Sequence, residues 1–185
     1  RIHGGLVSLH SARSRRLDGR FGGVLRATPP VVLPGMSGDV SFRVQRLIPG
    51  DNALMHGMLT LLGEAFEEPD HFGKKRPRSA YFDKLLASDT FVALVALDGE
   101  QVVGGITAYE LHKYEQERSE LYIYDLAVAE SHRRLGIATA LIQELRRIAK
   151  QRGAWVVYVQ ADLGDPPAIA LYTKLGTRED VLHFD

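Results

Sequence analysis

Two apolar runs, Phe91–Leu97 (FVALVAL) and Gln101–Leu111 (QVVGGITAYEL), flank an Asp98-Gly99 pair. Asp-Gly between such runs is a strong hairpin signal, because tight hairpin turns need the positive φ that glycine accepts. A different kind of unit follows. Leu121–Val128 (LYIYDLAV) has the composition of a central strand. Residues 138–151 repeat Ala138, Leu141, Ile142, Leu145, Ile148 and Ala149 at helical spacing, and Gly153 ends that helix. Trp155–Ala161 (WVVYVQA) reads as a second buried strand. An antiparallel hairpin that feeds a strand–helix–strand unit requires a mixed sheet.

The rest of the chain adds elements at both ends. Phe42, Val44 and Leu47 read as a short strand. Asp51 is placed to cap a helix from Asn52 to Phe66, with Leu54, Met58, Leu61 and Leu62 on one face. Glu67–Arg78 reads as a polar loop, and Ala80–Leu86 as a short helix. Pro167 can open a further helix running to Lys174 and stopped by Gly176. A final strand is expected from Thr177. The expected order is β-α-α-β-β-β-α-β-α-β, an α/β (α+β) fold with a mixed central sheet flanked by about four helices.

Composition narrows the chemistry. The absence of cysteine excludes disulfides, thiolate metal sites and a cysteine nucleophile. No apolar run approaches the roughly 18–20 residues of a membrane helix, so no membrane association is expected. The histidines, among them His56, His71, His112, His132 and His183, are scattered without metal-ligand spacing, and no metal is expected. Net charge is zero but uneven: residues 1–36 hold six arginines and one acid, a net +5, which leaves −5 for residues 37–185. Residues 1–36 therefore read as a basic extension: a leader, a cloning remnant or read-through of upstream coding. They are expected to be dispensable for activity, and if ordered they would pack on something such as the second subunit of a homodimer. Their charge is too sparse to suggest nucleic-acid binding. An acidic domain over 37–185 suits a polycationic partner.

Asp125–Ala140 (DLAVAESHRRLGIATA) carries the chemical signal. It joins a strand to a helix through a basic turn and a glycine. Gly136 permits close backbone approach or unusual dihedrals. The amides of Leu135, Gly136, Ile137, Ala138 and Thr139 would lack intrahelical acceptors at the positive end of the helix dipole. Such a turn binds pyrophosphate, and His132, Arg133 and Arg134 would add positive charge. The alternative is an ordinary strand-to-helix turn whose arginines are solvated.

Arg133, Gly136 and Ala138 match the Gln/Arg-x-x-Gly-x-Gly/Ala signature of the GNAT N-acetyltransferases. Ala168, Leu171, Tyr172 and Gly176 match that family's later Ala-x-x-Leu-Tyr-x-x-x-Gly element. The chain resembles this family over about residues 40–185. One departure is Asp165, where many relatives carry asparagine. Within the family, the stretch from Tyr81 to Asp185 resembles the type I aminoglycoside 3-N-acetyltransferases.

The resemblance implies a GNAT fold whose fourth and fifth strands, Leu121–Val128 and Trp155–Ala161, splay apart to admit acetyl-CoA as co-substrate. It implies transfer of the acetyl group to an amine, the 3-amino group of an aminoglycoside or another polycationic amine, in the cytoplasm. A polyamine, a peptide N-terminus or a protein lysine is the alternative acceptor. Leu126, Ala127 and Val128 would line the thioester, with the amide of Leu126 or Val128 facing its oxygen.

Asp125 is the candidate base. A carboxylate inside an apolar strand is costly unless it is paired or functional, and the alternative is a structural carboxylate satisfied by amides or an arginine. Tyr172 is the candidate acid, and the alternative is a packing tyrosine. Glu115, Glu120, Tyr122, Tyr124 and Asp162, with Glu117, are candidate acceptor contacts, and Glu67, Glu68 and Asp70 could close the site. Strict alternation would put Glu120, Tyr122 and Tyr124 on one face and Leu121, Ile123 and Asp125 on the other, a register that a β-bulge would shift.

Overall fold

The computed structural model describes residues 31–33 and 41–182. The start of the domain at residue 37, the end of the final strand and His183 lie outside them, as do residues 1–30 and 34–36 of the extension. Among the described residues, six strands form one sheet in sequence order: β1 (Val31–Leu33), β2 (Phe42–Arg46), β3 (Phe91–Asp98), β4 (Gln101–His112), β5 (Ser119–Val128) and β6 (Val157–Tyr158). Pairing is antiparallel from β1 to β5 and parallel between β5 and β6. The sheet is mixed, as the hairpin and the crossover require. The first strand belongs to residues 1–36, since Val31–Leu33 pair with Phe42–Val44.

Helices cover both faces. Against one face lie α1 (Asn52–Ala65), α2 (Pro69–Gly73) and α3 (Ser79–Leu86). Met55, Met58, Leu61, Leu62, Phe82 and Leu86 bury there against Phe91, Ala93, Val95 and Leu97. On the other face, α4 (Ile137–Arg152) packs Ile137, Leu141, Leu145 and Ile148 against Val92, Leu94, Ile106, Leu121 and Ile123. The last helix, α5 (Pro166–Leu175), lays Leu171, Tyr172 and Leu175 against the same cluster. Strand β3 touches both layers by alternation, which is why its run is apolar without a break.

The far end of α4 is clamped to the sheet. Arg152 Nη1 donates to Glu110 Oε2 at 2.6 Å, and Ser119 Oγ donates to Glu110 Oε1 at 2.6 Å. Burial pushes the Glu110 carboxyl up, but these donors outweigh it and hold the group below its ordinary value. The clamp ties the C-terminal end of α4 to β4 and β5.

Several sequence expectations need correction. Glu67–Arg78 contains the short helix α2, opened by Pro69. Asp51 sits at the N-cap of α1, but its side chain accepts from Ile48 N at 2.9 Å and not from the helix. Met55 joins the fully buried face of α1, and Leu54 packs half-buried against the same cluster. Pro166 is the first residue of α5, and Asp165 caps it by accepting from Ala168 N at 3.0 Å. Trp155–Ala161 is strand only at Val157–Tyr158 and is not buried: Trp155 is 65% exposed, with the Arg118 guanidinium 4.8 Å above its ring. No strand forms over 177–182. Arg178 and Asp180 pair locally there, and Val181 and Leu182 are exposed. The two-residue β6 offers too short an edge to template it.

Candidate active site

Strand β5 departs from simple alternation. Ala108 pairs with Ile123, but the next β4 residue, Thr107, pairs with Asp125, so Tyr124 is the extra residue of a bulge. A bulge exchanges the faces of everything beyond it. Before it, Leu121 and Ile123 bury in the α4 layer. After it, Ala127 buries in the α1 layer, while Leu126 and Val128 turn to the α4 layer. Asp125 alternates with Ala127 and so faces the α1–α3 side. The expected grouping of Asp125 with Leu121 and Ile123 is therefore wrong: it joins the face of Glu120, Tyr122 and Tyr124.

On that face the aromatic rings run edge to face. Tyr109 and Tyr124 have centroids 5.6 Å apart, Tyr124 and Tyr122 6.1 Å, and Tyr122 stacks on Tyr158 at 5.1 Å. Tyr124 is 64% exposed, so this row is presented at the surface. Burial raises the Asp125 carboxyl above its ordinary value, and the hydrogen bond from Thr107 and the nearby His71 pull it back only in part. Thr107 Oγ1 donates to Asp125 Oδ2 at 3.1 Å. Burial, then Glu120 and Tyr122, also raise the Tyr158 phenol, which puts Glu120 beside the stack.

The β5–β6 ladder stops early. Leu121 pairs with Val157 and Tyr122 with Tyr158, and β5 continues to Val128 without a partner on that side. Ala129 N donates to Val103 O at 2.9 Å. Antiparallel alternation then directs the amides of Asp125 and Ala127 toward β4 and those of Leu126 and Val128 into the gap. This gap is the splay between the fourth and fifth strands of the expected fold.

The turn before α4 opens beside it. Arg134 and Gly136 both adopt positive φ, 67° and 84°. No side chain caps the helix, and its backbone bonding begins with Ala140 N to Gly136 O at 2.9 Å. The amides of Ile137, Ala138 and Thr139 thus face outward at the positive helix end. A Cβ on Gly136 would meet nothing within 4 Å, so space for a ligand exists above it. Arg133 and Arg134 are exposed next to the turn, with Arg133 Nε 3.4 Å from Val128 O. His132 does not join them: its Nε2 lies 3.3 Å from Asp98 Oδ2, bracing the turn against the β3–β4 hairpin. These features fit a pyrophosphate.

Tyr172 lies on α5, half-buried against the α4 layer. Burial, followed by Asp165, pushes its phenol up to about 12, so it stays protonated. Asp125 and Tyr172 therefore sit on opposite faces of the sheet. Of the other acids, Glu115 and Glu120 share Lys113, at 3.5 and 3.9 Å, and Asp162 is exposed beyond β6. Glu117 is exposed in the β4–β5 loop. Glu67, Glu68 and Asp70 are exposed around α2, and Asp70 pairs with Lys74. A surface hollow of about 380 Å³ lined by Arg76, Pro77, Arg78 and Tyr81 lies near this face. Its guanidiniums suit an anion and not an amine.

Sequence reasoning missed Thr107, Tyr109, Tyr158 and His71. A hydroxyl inside the apolar stretch GGITAYEL was the available signal for Thr107. The other three gain meaning only from the bulge.

Residues 55–177 match the family model described as acetyltransferase (GNAT) family. An aminoglycoside acetyltransferase from an uncultured soil metagenomic sample is 57% identical in sequence. It superposes with a TM-score of 0.77 over 78% of this chain and 97% of that one. A second such enzyme of metagenomic origin, solved in complex with sisomicin, is 32% identical with a TM-score of 0.72, over 78% of this chain and 94% of that one. N-acetyltransferase 8B of Rattus norvegicus is 32% identical over 90 residues, 49% of this chain, and the matched part spans 40% of the rat protein. Among the described residues, no helix is long and apolar enough to cross a membrane. With the family model matched across the bulged strand, the α4 turn and the Tyr172 helix, this chain belongs to the GNAT acetyltransferase family.

Proposed function

We propose that the protein transfers the acetyl group of acetyl-CoA to an amino group of an aminoglycoside, the 3-amino group being the expected position, and does so in the cytoplasm. The observation that carries this reading is the bulge at Tyr124, which turns Asp125 toward Glu120, Tyr122 and Tyr124 at the edge of the β5–β6 gap. Carboxylates beside exposed tyrosines suit an amino-sugar, since carboxylates bind ammonium groups by charge-assisted hydrogen bonds and phenol rings carry the apolar faces of a sugar. The likeness to the metagenomic aminoglycoside acetyltransferases points the same way.

Bound acetyl-CoA supplies the activated acetyl carbon. The amides of Ile137, Ala138 and Thr139, with Arg133 and Arg134, hold its pyrophosphate. The Leu126 or Val128 amide donates to the carbonyl oxygen as negative charge develops there. An ammonium group cannot attack, so Asp125 takes its proton, directly or through water. The new C–N bond forms at the acetyl carbon, the C–S bond breaks, and Tyr172 donates a proton to the departing sulfur. The second amine proton leaves the nitrogen to solvent, and solvent restores the phenol. Asp125 is suited to its part because burial raises its basicity, and Tyr172 to its part because burial keeps it protonated.

A thiol-release assay across amine classes tests the acceptor. Turnover with aminoglycosides far above that with polyamines, peptide N-termini and lysine peptides is the expected outcome. A preference for peptides would replace the acceptor while leaving the transfer chemistry intact.

A further inference from the structure

Asp125 has one side-chain donor in reach on its own sheet. Thr107 stands opposite it in the β4–β5 ladder, at the step where the register shifts. The Thr107 side chain belongs to a residue only 6% exposed, and its Oγ1 lies 3.1 Å from Asp125 Oδ2. An ionised carboxylate only accepts, so the hydroxyl must donate. Valine would fill the same space in this apolar strand without supplying a donor. The extra residue Tyr124 interrupts the ladder just before Asp125, and the Thr107 hydroxyl links the two strands at that step.

We propose that Thr107 is the positioning residue of the acetyl-transfer site: its hydroxyl pins one oxygen of Asp125 and leaves the other for the acceptor amine. This rests on the reading of Asp125 as the base. Thr107 from β4 and His71 from α2 act on the carboxylate, and Tyr109 of β4 lies beside it with Tyr124 of β5 and Tyr81 of α3 around its own phenol. Burial, then Tyr81, Tyr124 and Asp125, raise the Tyr109 phenol. His71 is exposed on α2 and can be screened by solvent. Thr107 is therefore the buried contact that favours the charged carboxylate.

The test compares Thr107→Val and Thr107→Ser with the unaltered protein, following kcat and KM against pH with an aminoglycoside acceptor. In Thr107→Val the acid limb of kcat/KM should move to higher pH, because the carboxylate loses the donor that favours its charge. Plateau kcat should fall about tenfold, the scale of one hydrogen bond to a charged group. KM for acetyl-CoA should stay unchanged, and Thr107→Ser should restore both the limb and the rate. An unmoved limb with a loss that serine does not rescue would overturn the proposal and leave Thr107 a packing residue. If no amine is acetylated by any form, the reading of the site fails separately. Carbon-13 titration of the Asp125 carboxyl in the full chain then decides the pinning itself: an upward move in Thr107→Val upholds it, and an unchanged midpoint refutes it.

Discussion

Ile137, the first residue of α4, sits directly over Gly104 of β4: a Cβ on Gly104 would stand 2.6 Å from Ile137 Cγ2 and 3.3 Å from Leu141 Cδ1. The turn before α4 is thereby held close to the sheet by the lack of a side chain beneath it. A β-branched isoleucine cannot swing aside cheaply. Gly104→Ala should cost about 1–3 kcal/mol by overpacking and should also weaken CoA binding, because α4 is displaced at the end that carries the free amides. Thermal denaturation and calorimetry check both parts, and loss of stability with full CoA affinity would separate the turn from the contact.

Gly136 tests the phosphate site itself. Its φ of 84° disfavours other residues, and the space above it is where an anion would lie. Gly136→Asp adds both strain and negative charge and should abolish measurable CoA binding by calorimetry. Wild-type affinity in that variant would remove the turn from the cofactor site.

Asp125→Asn removes charge while keeping an acceptor for Thr107. As a base, Asp125 should be worth on the order of 10²-fold or more in kcat, with acetyl-CoA affinity little changed. The linkage runs in the opposite sense for stability. Burial raises the folded carboxyl above its unfolded value, so a penalty on folding builds as pH rises past the unfolded pKa and is complete above the folded one. The variant should therefore melt higher than the parent at neutral pH, with the gain vanishing in acid. A lower melting temperature at pH 7 would mark Asp125 as a structural carboxylate.

Much of this was legible in the sequence because local signals agreed. The Asp98-Gly99 turn, the unbroken apolar β3 and the period of α4 each report the environment of their own residues. Gly136 announced the turn because its backbone conformation is a local property. The face of Asp125 was not legible, since a bulge depends on how β4 meets β5 and leaves no mark in either strand alone. Trp155–Ala161 misled for a related reason: an apolar run reads as buried, yet Trp155 covers Arg118 at the edge of the sheet. Residues 177–182, expected to begin a strand, form none, and Arg178 and Asp180 pair locally instead.

Tyr172→Phe keeps the packing of α5 and removes the proton. If the phenol protonates the leaving sulfur, kcat should fall by roughly 10²-fold while melting temperature and KM for both substrates stay near their original values. Unchanged kcat would leave Tyr172 as a packing residue and sulfur protonation to solvent.

Mass spectrometry of gentamicin incubated with the protein and acetyl-CoA reads the proposed transfer itself. The product should be heavier by one acetyl group, with fragmentation placing it on the ring that bears the 3-amino group, and none should form in the Asp125→Asn control on the same timescale. Unmodified drug, alongside acetylation of a peptide or polyamine in parallel incubations, would contradict it.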